Sequence, residues 1–190
     1  MMKYSRVILA SASPRRKEIL TQVGVKFDII PAVGDEIITS TVPVDVVKEL
    51  SRAKALEVAE NCEKDALIIG ADTVVALEDV ILGKPKDYDE AFHMISSIKN
   101  RCHSVFTGVT IVCNGRISCF VSETKVYVYD MTDKEIDEYI CTNDCYDKAG
   151  GYGIQGFFSQ YVERIEGDYF NVVGLPVSRL MQEIKNLEAN

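Results

Sequence analysis

The chain has 190 residues, of which 47% are hydrophobic and 26% are charged, and its formal net charge is −8. This length and balance predict one globular domain spanning residues 1–190, and they exclude a disordered or low-complexity protein. The negative charge argues against a nucleic-acid polymer as partner, because such binding needs a continuous basic face. Apolar runs are shorter than the ~18 residues of a membrane span and do not form a signal-peptide core, so we expect no membrane association and a cytoplasmic location.

The first third of the chain alternates strands and helices, which is typical of an α/β protein. Arg6–Ala10 predicts a buried strand that leads into a helix over Ser13–Val23, where a serine can cap the helix and a proline suits its first position. Val25–Ile30 predicts a second strand, and apolar residues at helical spacing predict a helix over residues 45–60.

The following segments predict antiparallel pairing as well. Ala66–Gly70 is apolar and predicts a strand that ends at Asp72, and Asn114-Gly115 is a strong hairpin signal between two β-rich runs. The other predicted elements are strands at Val74–Leu77, Val80–Leu82, Ser104–Cys113, Ile117–Val128 and Tyr161–Ile165, and helices from Ala91 to Asn100, from a capping box of Thr132 and Glu135, and from Pro176 to Leu187. The sequence therefore predicts a mixed sheet with helices packed on it.

Two adjacent arginines lie in the first turn of the first predicted helix. A cation at this positive end of the helix dipole loses roughly 0.3–1 kcal/mol, so helix energetics alone would favour an acidic residue over Arg15 and Arg16. The guanidinium group of arginine can donate two parallel hydrogen bonds to phosphate oxygens, and the free N–H groups at a helix start add further donors. The small residues Ser11-Ala12-Ser13 let the backbone approach a ligand closely. The pattern indicates a polyphosphate-binding turn, with two solvated surface arginines as the alternative.

Carboxylates occur at two further points. Asp72, at the end of a predicted apolar strand, can hold a divalent metal, act as a base, or simply occupy a turn. Asp35-Glu36 lies in a loop and taken alone is typical of a solvated segment. Together these hard oxygen ligands suit Mg²⁺ or Mn²⁺, which binds through one or two carboxylates and the phosphates of a substrate.

Two lysines and one glycine-rich loop complete the candidates. Lys84 lies between a glycine and a proline, which can aim its ammonium at a phosphate. Lys54 lies beside apolar residues of a predicted helix, so its stem either covers the core or carries the ammonium into a cleft. The loop Asp147–Gly156 contains four glycines around Tyr152 and Gln155, which fits either a binding loop or a plain mobile one.

Seven segments, in order over nearly the whole chain, resemble the motifs of the Maf family of nucleoside triphosphate pyrophosphatases, also described as septum-formation inhibitors. They are Ser11–Arg16, Ser51–Ala55, Gly70–Thr73, Gly83–Pro85, Thr107-Gly108, Asp147–Gly156 and Glu166–Pro176. The resemblance implies a bilobed α/β fold with a central cleft, similar to that of the inosine triphosphate pyrophosphatases. It also implies a homodimer that cleaves a nucleoside triphosphate to the monophosphate and pyrophosphate with Mg²⁺ or Mn²⁺.

By position, the resemblance makes Asp72 the catalytic carboxylate. It links three residues with substrate choice, namely Arg15, Thr73 and Gln155. Together with the small residues of the first motif, the candidate phosphate-binding set is Ser11, Ser13, Arg15, Arg16, Lys54 and Lys84, and the candidate metal ligands are Glu36 and Asp72.

Gln155 predicts the substrate class. Its GIQG form resembles the branch that acts on dTTP, UTP and modified uridine triphosphates, whereas the 7-methyl-GTP branch has Glu at this place. An amide both donates and accepts, as the O4 and N3–H edge of uracil or thymine requires. Two alternatives remain open: a pyrophosphatase for 7-methyl-GTP or non-standard purine triphosphates, and a nucleotide-dependent regulator of septum formation that binds a cell-division partner.

Overall fold

A computed structural model describes residues 4–189, and within them seven strands form one mixed sheet. The strands are β1 (Val7–Leu9), β2 (Asp28–Ile29), β3 (Leu67–Leu77), β4 (Val80–Leu82), β5 (Cys102–Cys113), β6 (Arg116–Val128) and β7 (Val162–Glu166). Their order is β2-β1-β3-β5-β6-β7, and β4 also pairs with β3. β1 is parallel to β2 and β3, whereas the other pairs are antiparallel, so the predicted mixed α/β sheet is confirmed.

Helices cover both faces of this sheet. They are α1 (Pro14–Gln22), α2 (Pro43–Ala59), α3 (Tyr88–Ile98), α4 (Asp133–Ile140), α5 (Tyr169–Val173) and α6 (Val177–Ala189). α2 packs on one face through Val46, Val47 and Leu50. Alternate residues of a strand point to opposite faces, and Ile69 and Val75 of β3 point away from α2. Ile69 belongs to a buried cluster with residues of α1 and α6, and Val75 belongs to another with residues of α3 and α4, so two helix groups share that second face.

Two glycines let the backbone of α2 lie directly on the sheet. A Cβ on Gly70 would lie 2.4 Å from the backbone oxygen of Ser51, and a Cβ on Gly108 would lie 2.2 Å from that of Val47. Any larger residue would therefore push the helix outward. This close approach brings the next turn of α2, which carries Lys54, against the middle of β3.

Several local predictions are confirmed. Asn114 and Gly115 have φ values of 51° and 73°, as the tight turn between β5 and β6 requires. Thr132 and Glu135 form both hydrogen bonds of the capping box at the start of α4. Ser13 occupies the N-cap position of α1, but its side chain makes no capping hydrogen bond, contrary to the role expected of it.

Other predictions about the strands are wrong. β3 does not end at Asp72, because pairing with β5 continues along residues 68–76 and overrides the local tendency to turn. β2 is confined to Asp28–Ile29, since only these residues meet β1.

The short helix α5 was not predicted, because five residues are too few for a helical period. No helix within residues 4–189 is long and apolar enough to span a bilayer.

Candidate active site

The candidate site is centred on a gap in the pairing of β3. β1 pairs with residues 67–69 of one edge of β3, and β4 pairs with residues 75–77 of that same edge. Residues 70–74 therefore face an opening between the carboxyl ends of β1 and β4. Open sheets bind ligands at interruptions of this kind, beyond the carboxyl ends of strands. A cleft of about 970 Å³ lies at this opening.

All ten residues singled out from the sequence line this cleft. They are Ser11, Ser13, Arg15, Arg16, Glu36, Lys54, Asp72, Thr73, Lys84 and Gln155. They come from distant parts of the chain, and their convergence makes the cleft the candidate site.

Arg16 is held almost entirely by protein oxygens. Its Nε donates to the backbone oxygen of Gly174 at 2.9 Å, and its two terminal nitrogens donate to Ser11 Oγ at 3.0 Å and Thr73 Oγ1 at 3.1 Å. Burial lowers the pKa of Arg16, and nearby Asp72 opposes that change, so the guanidinium remains a cation. A guanidinium has five N–H donors, so two remain for a ligand in the cleft.

Arg15 faces the glycine-rich loop on another wall. Its NH1 forms an ion pair with Oδ2 of Asp147 at 3.0 Å, while Oδ1 of Asp147 accepts from Lys148 at 2.7 Å. Burial alone would raise the pKa of Asp147, but the hydrogen bonds from Lys148 and Arg15 outweigh it and lower the pKa. Asp147 is therefore an anion that links the start of α1 to the loop.

Lys54 joins two carboxylates. Its Nζ lies 2.5 Å from Oδ1 of Asp72 and 2.7 Å from Oε1 of Glu36. The Asp72 side chain is only 14% exposed and that of Lys54 20%, so this charge pair is poorly screened by solvent. The structure thus settles the alternative left open for Lys54, because its ammonium lies in the cleft.

Glu36 belongs to an irregular strap, residues 33–40, that is fixed to α2 at both ends. Glu57 of α2 accepts hydrogen bonds from the backbone N–H groups of the first two strap residues at 2.7 and 3.1 Å. Glu49 of α2 accepts from the backbone N–H and the hydroxyl of Thr39, and these hydrogen bonds lower the pKa of Glu49. The strap therefore presents Glu36 to Lys54 from a defined position.

Lys84 and Gln155 both line the cleft with exposed side chains. Neither makes a side-chain hydrogen bond or ion pair to another residue within the part of the chain that the structure describes. Both are thus available to a ligand. Thr73 is not, because its hydroxyl contacts both Arg16 and Thr107 Oγ1, the latter at 2.9 Å.

Sequence reasoning gave no role to three further residues of the cleft: Asp147, Lys148 and Tyr152. Tyr152 is buried, and its hydroxyl shares a hydrogen bond of 2.6 Å with Nε2 of His103. Burial raises the pKa of Tyr152 and lowers that of His103 to about 4, so both are neutral near pH 7. The signal for all three residues was their place in the Asp147–Gly156 motif, in which only Gln155 was given a role and Tyr152 was noted without one.

Glu36 and Asp72 are the candidate metal ligands of the cleft. No group of three His, Cys, Asp or Glu side chains suited to a metal occurs in the described residues. Glu36 and Asp72 nevertheless approach the same ammonium from two sides, so their oxygens can approach one small cation. Mg²⁺ commonly takes one or two carboxylates and completes its shell with waters and phosphates, so this pair fits the ion.

The chain is similar to a known family over most of its length. The family model described as Maf-like protein matches residues 6–187. A dTTP/UTP pyrophosphatase of Agathobacter rectalis is 52% identical over 96% of this chain and 98% of that protein. Proteins of the same description from Thermoanaerobacter sp. and Bacillus cereus are 48% and 44% identical, each covering at least 95% of both chains.

A solved structure shares the fold. The HAM1 protein from Coxiella burnetii superimposes with a TM-score of 0.55 over 97% of this chain and 98% of that one, at 13% sequence identity. At this identity the likeness concerns the fold alone, and it confirms the predicted α/β architecture.

Proposed function

We propose that this chain, which belongs to the Maf-like protein family, is a nucleoside triphosphate pyrophosphatase acting on dTTP, UTP and modified uridine triphosphates. The observation that carries the proposal is the position of Asp72: a poorly exposed carboxylate in a cleft that also contains two arginines and three lysines. Relatives at 44–52% identity are described as dTTP/UTP pyrophosphatases, which supports the same substrate class. The benefit to the cell would be removal of non-standard nucleotides.

The cations bind and neutralise the triphosphate. Arg16 has two N–H groups left over, and Lys84 has no competing partner among the described side chains. Arg15 and Lys54 each exchange a protein carboxylate for a phosphate oxygen, at a modest cost because the new partner is also an anion. Phosphoryl transfer needs mainly such charge neutralisation and alignment of the reacting groups.

Asp72 directs the attacking water. One of its oxygens, Oδ1, binds Lys54, so Oδ2 can accept a hydrogen bond from a water and take its proton. The water oxygen forms a bond to the α-phosphorus, the bond to the bridging oxygen breaks, and pyrophosphate leaves with that electron pair.

Mg²⁺ or Mn²⁺ would be held by Glu36 and Asp72 together with phosphate oxygens. When bound, the ion would supply positive charge next to the phosphates. The strap contacts of Glu49 and Glu57 hold the segment that carries Glu36 beside Lys54.

Base selection rests on Gln155, whose exposed amide reaches the cleft without a protein partner among the described side chains. The amide can donate to O4 and accept from N3–H of uracil or thymine at once. When a base that cannot pair with the amide binds, a buried polar group is left without a hydrogen-bond partner, and this costs more binding free energy than a missing apolar contact. One amide can therefore discriminate strongly between bases.

The test is pyrophosphate release by the purified protein with Mg²⁺ or Mn²⁺ and, separately, dTTP, UTP, 7-methyl-GTP, ITP and ATP. Turnover of dTTP and UTP above the purines supports the proposal. Preference for a purine would keep the chemistry and overturn the role of Gln155. Nucleotide binding without turnover of any of them would favour a regulator of septum formation that acts through a cell-division partner.

We also infer from the family resemblance that the protein acts in the cytoplasm as a homodimer. Light scattering on the eluting protein gives its mass directly, and a value near the 21.2 kDa of one chain would contradict the dimer.

A further inference from the structure

Lys148 has a place in the cleft that the phosphate chemistry does not account for. Its Nζ donates to the backbone oxygen of Asp144 at 2.6 Å, to Oδ1 of Asp144 at 2.6 Å and to Oδ1 of Asp147 at 2.7 Å. An ammonium has three donors, so all of them are used within the protein. The side chain is only 12% exposed. Unlike Lys84, Lys148 is thus a fixed part of the wall.

The stem of Lys148 lies against the loop that carries Gln155. A Cβ on Gly153 would lie 2.8 Å from Cε and 3.0 Å from Cδ of Lys148, so the lysine packs directly on the Gly153 backbone. On the other side of Gln155, a Cβ on Gly156 would lie 3.9 Å from a carboxylate oxygen of Asp144. Lys148 thus supports the loop on the Gly153 side of Gln155, and its partner Asp144 lies near the Gly156 side.

The same network reaches the first turn of α1. Asp147 accepts from Lys148 through one oxygen and from Arg15 NH1 through the other. Loss of the Lys148 ammonium would leave Asp147 with Arg15 as its only charged partner in this network and would release the backbone next to Gln155. The lysine therefore connects two residues that stand, by resemblance, among those linked with substrate choice.

We propose that Lys148 is a positioning residue for base selection, which fixes the Gln155 loop and the Arg15–Asp147 pair in one geometry without touching the substrate. The inference rests on the proposed function, because it concerns how the same cleft chooses its base. A rigid supporting network is what a discriminating amide needs, since a displacement of about 1 Å is enough to lose a well-aligned hydrogen bond.

The experiment compares Lys148→Met, which keeps the length of the stem and removes the ammonium, with Lys134→Met. Lys134 is a matched control, because it forms an exposed pair with Glu138 at 3.5 Å on α4, outside the cleft lining. We expect Lys148→Met to lower the ratio of kcat/KM for UTP over ATP about tenfold, mainly through KM for UTP. The control should retain the ratio of the unchanged protein. An unchanged ratio in Lys148→Met would overturn the proposal, whatever its thermal stability.

A second measurement needs no turnover. Gly153→Ala should lower Tm by about 3 °C or more in the otherwise unchanged chain and much less when combined with Lys148→Ala, because truncation of the lysine removes the clash. Equal losses in both backgrounds would contradict the contact on which the proposal depends.

Binding of a non-hydrolysable UTP analogue to each variant separates the positioning role of Lys148 from the proposed function. If the unchanged protein binds the analogue but hydrolyses none of the nucleoside triphosphates, the pyrophosphatase proposal fails. The positioning role is then still judged from the affinity of each variant for the analogue. Unaltered affinity in Lys148→Met would then reject that role.

Discussion

The ammonium of Lys54 lies 2.5 Å from a carboxylate oxygen of Asp72, and this pair follows from how α2 packs on β3. Gly70 lies two residues before Asp72 on the strand, and Ser51 lies three residues before Lys54 on the helix. The missing side chain at Gly70 lets these two backbones touch. The charge pair of the site is therefore set by a backbone contact that carries no charge itself.

Replacement of Asp72 by asparagine should lower turnover of UTP by about a thousandfold or more. Asparagine keeps the shape of the side chain but cannot accept the proton of the attacking water. Steady-state pyrophosphate release measures the loss, and affinity for a UTP analogue should remain within about tenfold because the cations are intact.

The matched control for this variant is Asp79→Asn. Asp79 also lines the cleft, but it lies in the turn before β4 with a φ of 68°, which asparagine adopts readily. Its turnover should stay close to that of the unchanged protein. Retained turnover in Asp72→Asn would remove the catalytic assignment.

Replacement of Lys54 by methionine should lower kcat/KM for UTP by about a hundredfold. The change removes a phosphate-binding cation and also leaves the carboxylates of Asp72 and Glu36 without the ammonium that lies between them. Lys48→Met, at an exposed position of the same helix, controls for loss of a lysine from α2. A kcat/KM equal in the two variants would contradict the role of Lys54.

Replacement of Gly70 by alanine should destabilise the protein by about 1–3 kcal/mol or more, because the new methyl group would lie 2.4 Å from the Ser51 oxygen. Urea unfolding measures the change. Gly83→Ala is the control, since a Cβ there has no atom within 4 Å among the described residues and no unusual φ. If both alanines cost the same, α2 does not rest on the sheet as described.

The candidate site residues could be selected from the sequence because each lies in a short motif whose residue types indicate a chemical role. The expected role of these residues follows from their immediate neighbours in sequence. Arg15 and Arg16 lie at a helix start, and Lys84 lies between Gly and Pro. The resemblance then joined them in one site, and the structure places all of them around one cleft. What they touch was less accessible, because Arg16 reaches Gly174 across 158 positions of sequence.

The course of the strands could be predicted only in part. Asp72 was expected to end a strand, since aspartate favours turns, but nine consecutive pairs with β5 hold the backbone extended through it. Asp72 nevertheless lies beside an opening in the sheet, because the strands that end there are β1 and β4, the neighbours of β3. Local propensity cannot show that β1 and β4 end at this point while β3 continues, because this depends on which strands pair in the folded sheet.

Acid should destabilise the protein through His103. Burial lowers the pKa of His103 to about 4 from an ordinary 6.5, so between these values the unfolded chain binds a proton that the folded chain does not. Stability is therefore lost as the pH falls from 6.5 toward 4, by about 2–3 kcal/mol at pH 4.5. Urea unfolding at pH 7 and pH 4.5 should show a smaller difference in His103→Gln than in the unchanged protein. His93→Gln, on the exposed side of α3, should leave the difference as it is.

Replacement of Gln155 by glutamate should lower kcat/KM for UTP about a hundredfold, because two carboxylate oxygens would face O4 of uracil, itself an acceptor. The kcat/KM for ATP should change much less, since the charge lies at the base and not at the phosphates. Gln160→Glu makes the same chemical change at an exposed side chain outside the cleft lining and should leave both values unaltered. If Gln155→Glu and Gln160→Glu hydrolyse UTP equally well, the amide does not read the base, and the discrimination must come from the backbone of the Asp147–Gly156 loop or from Arg15.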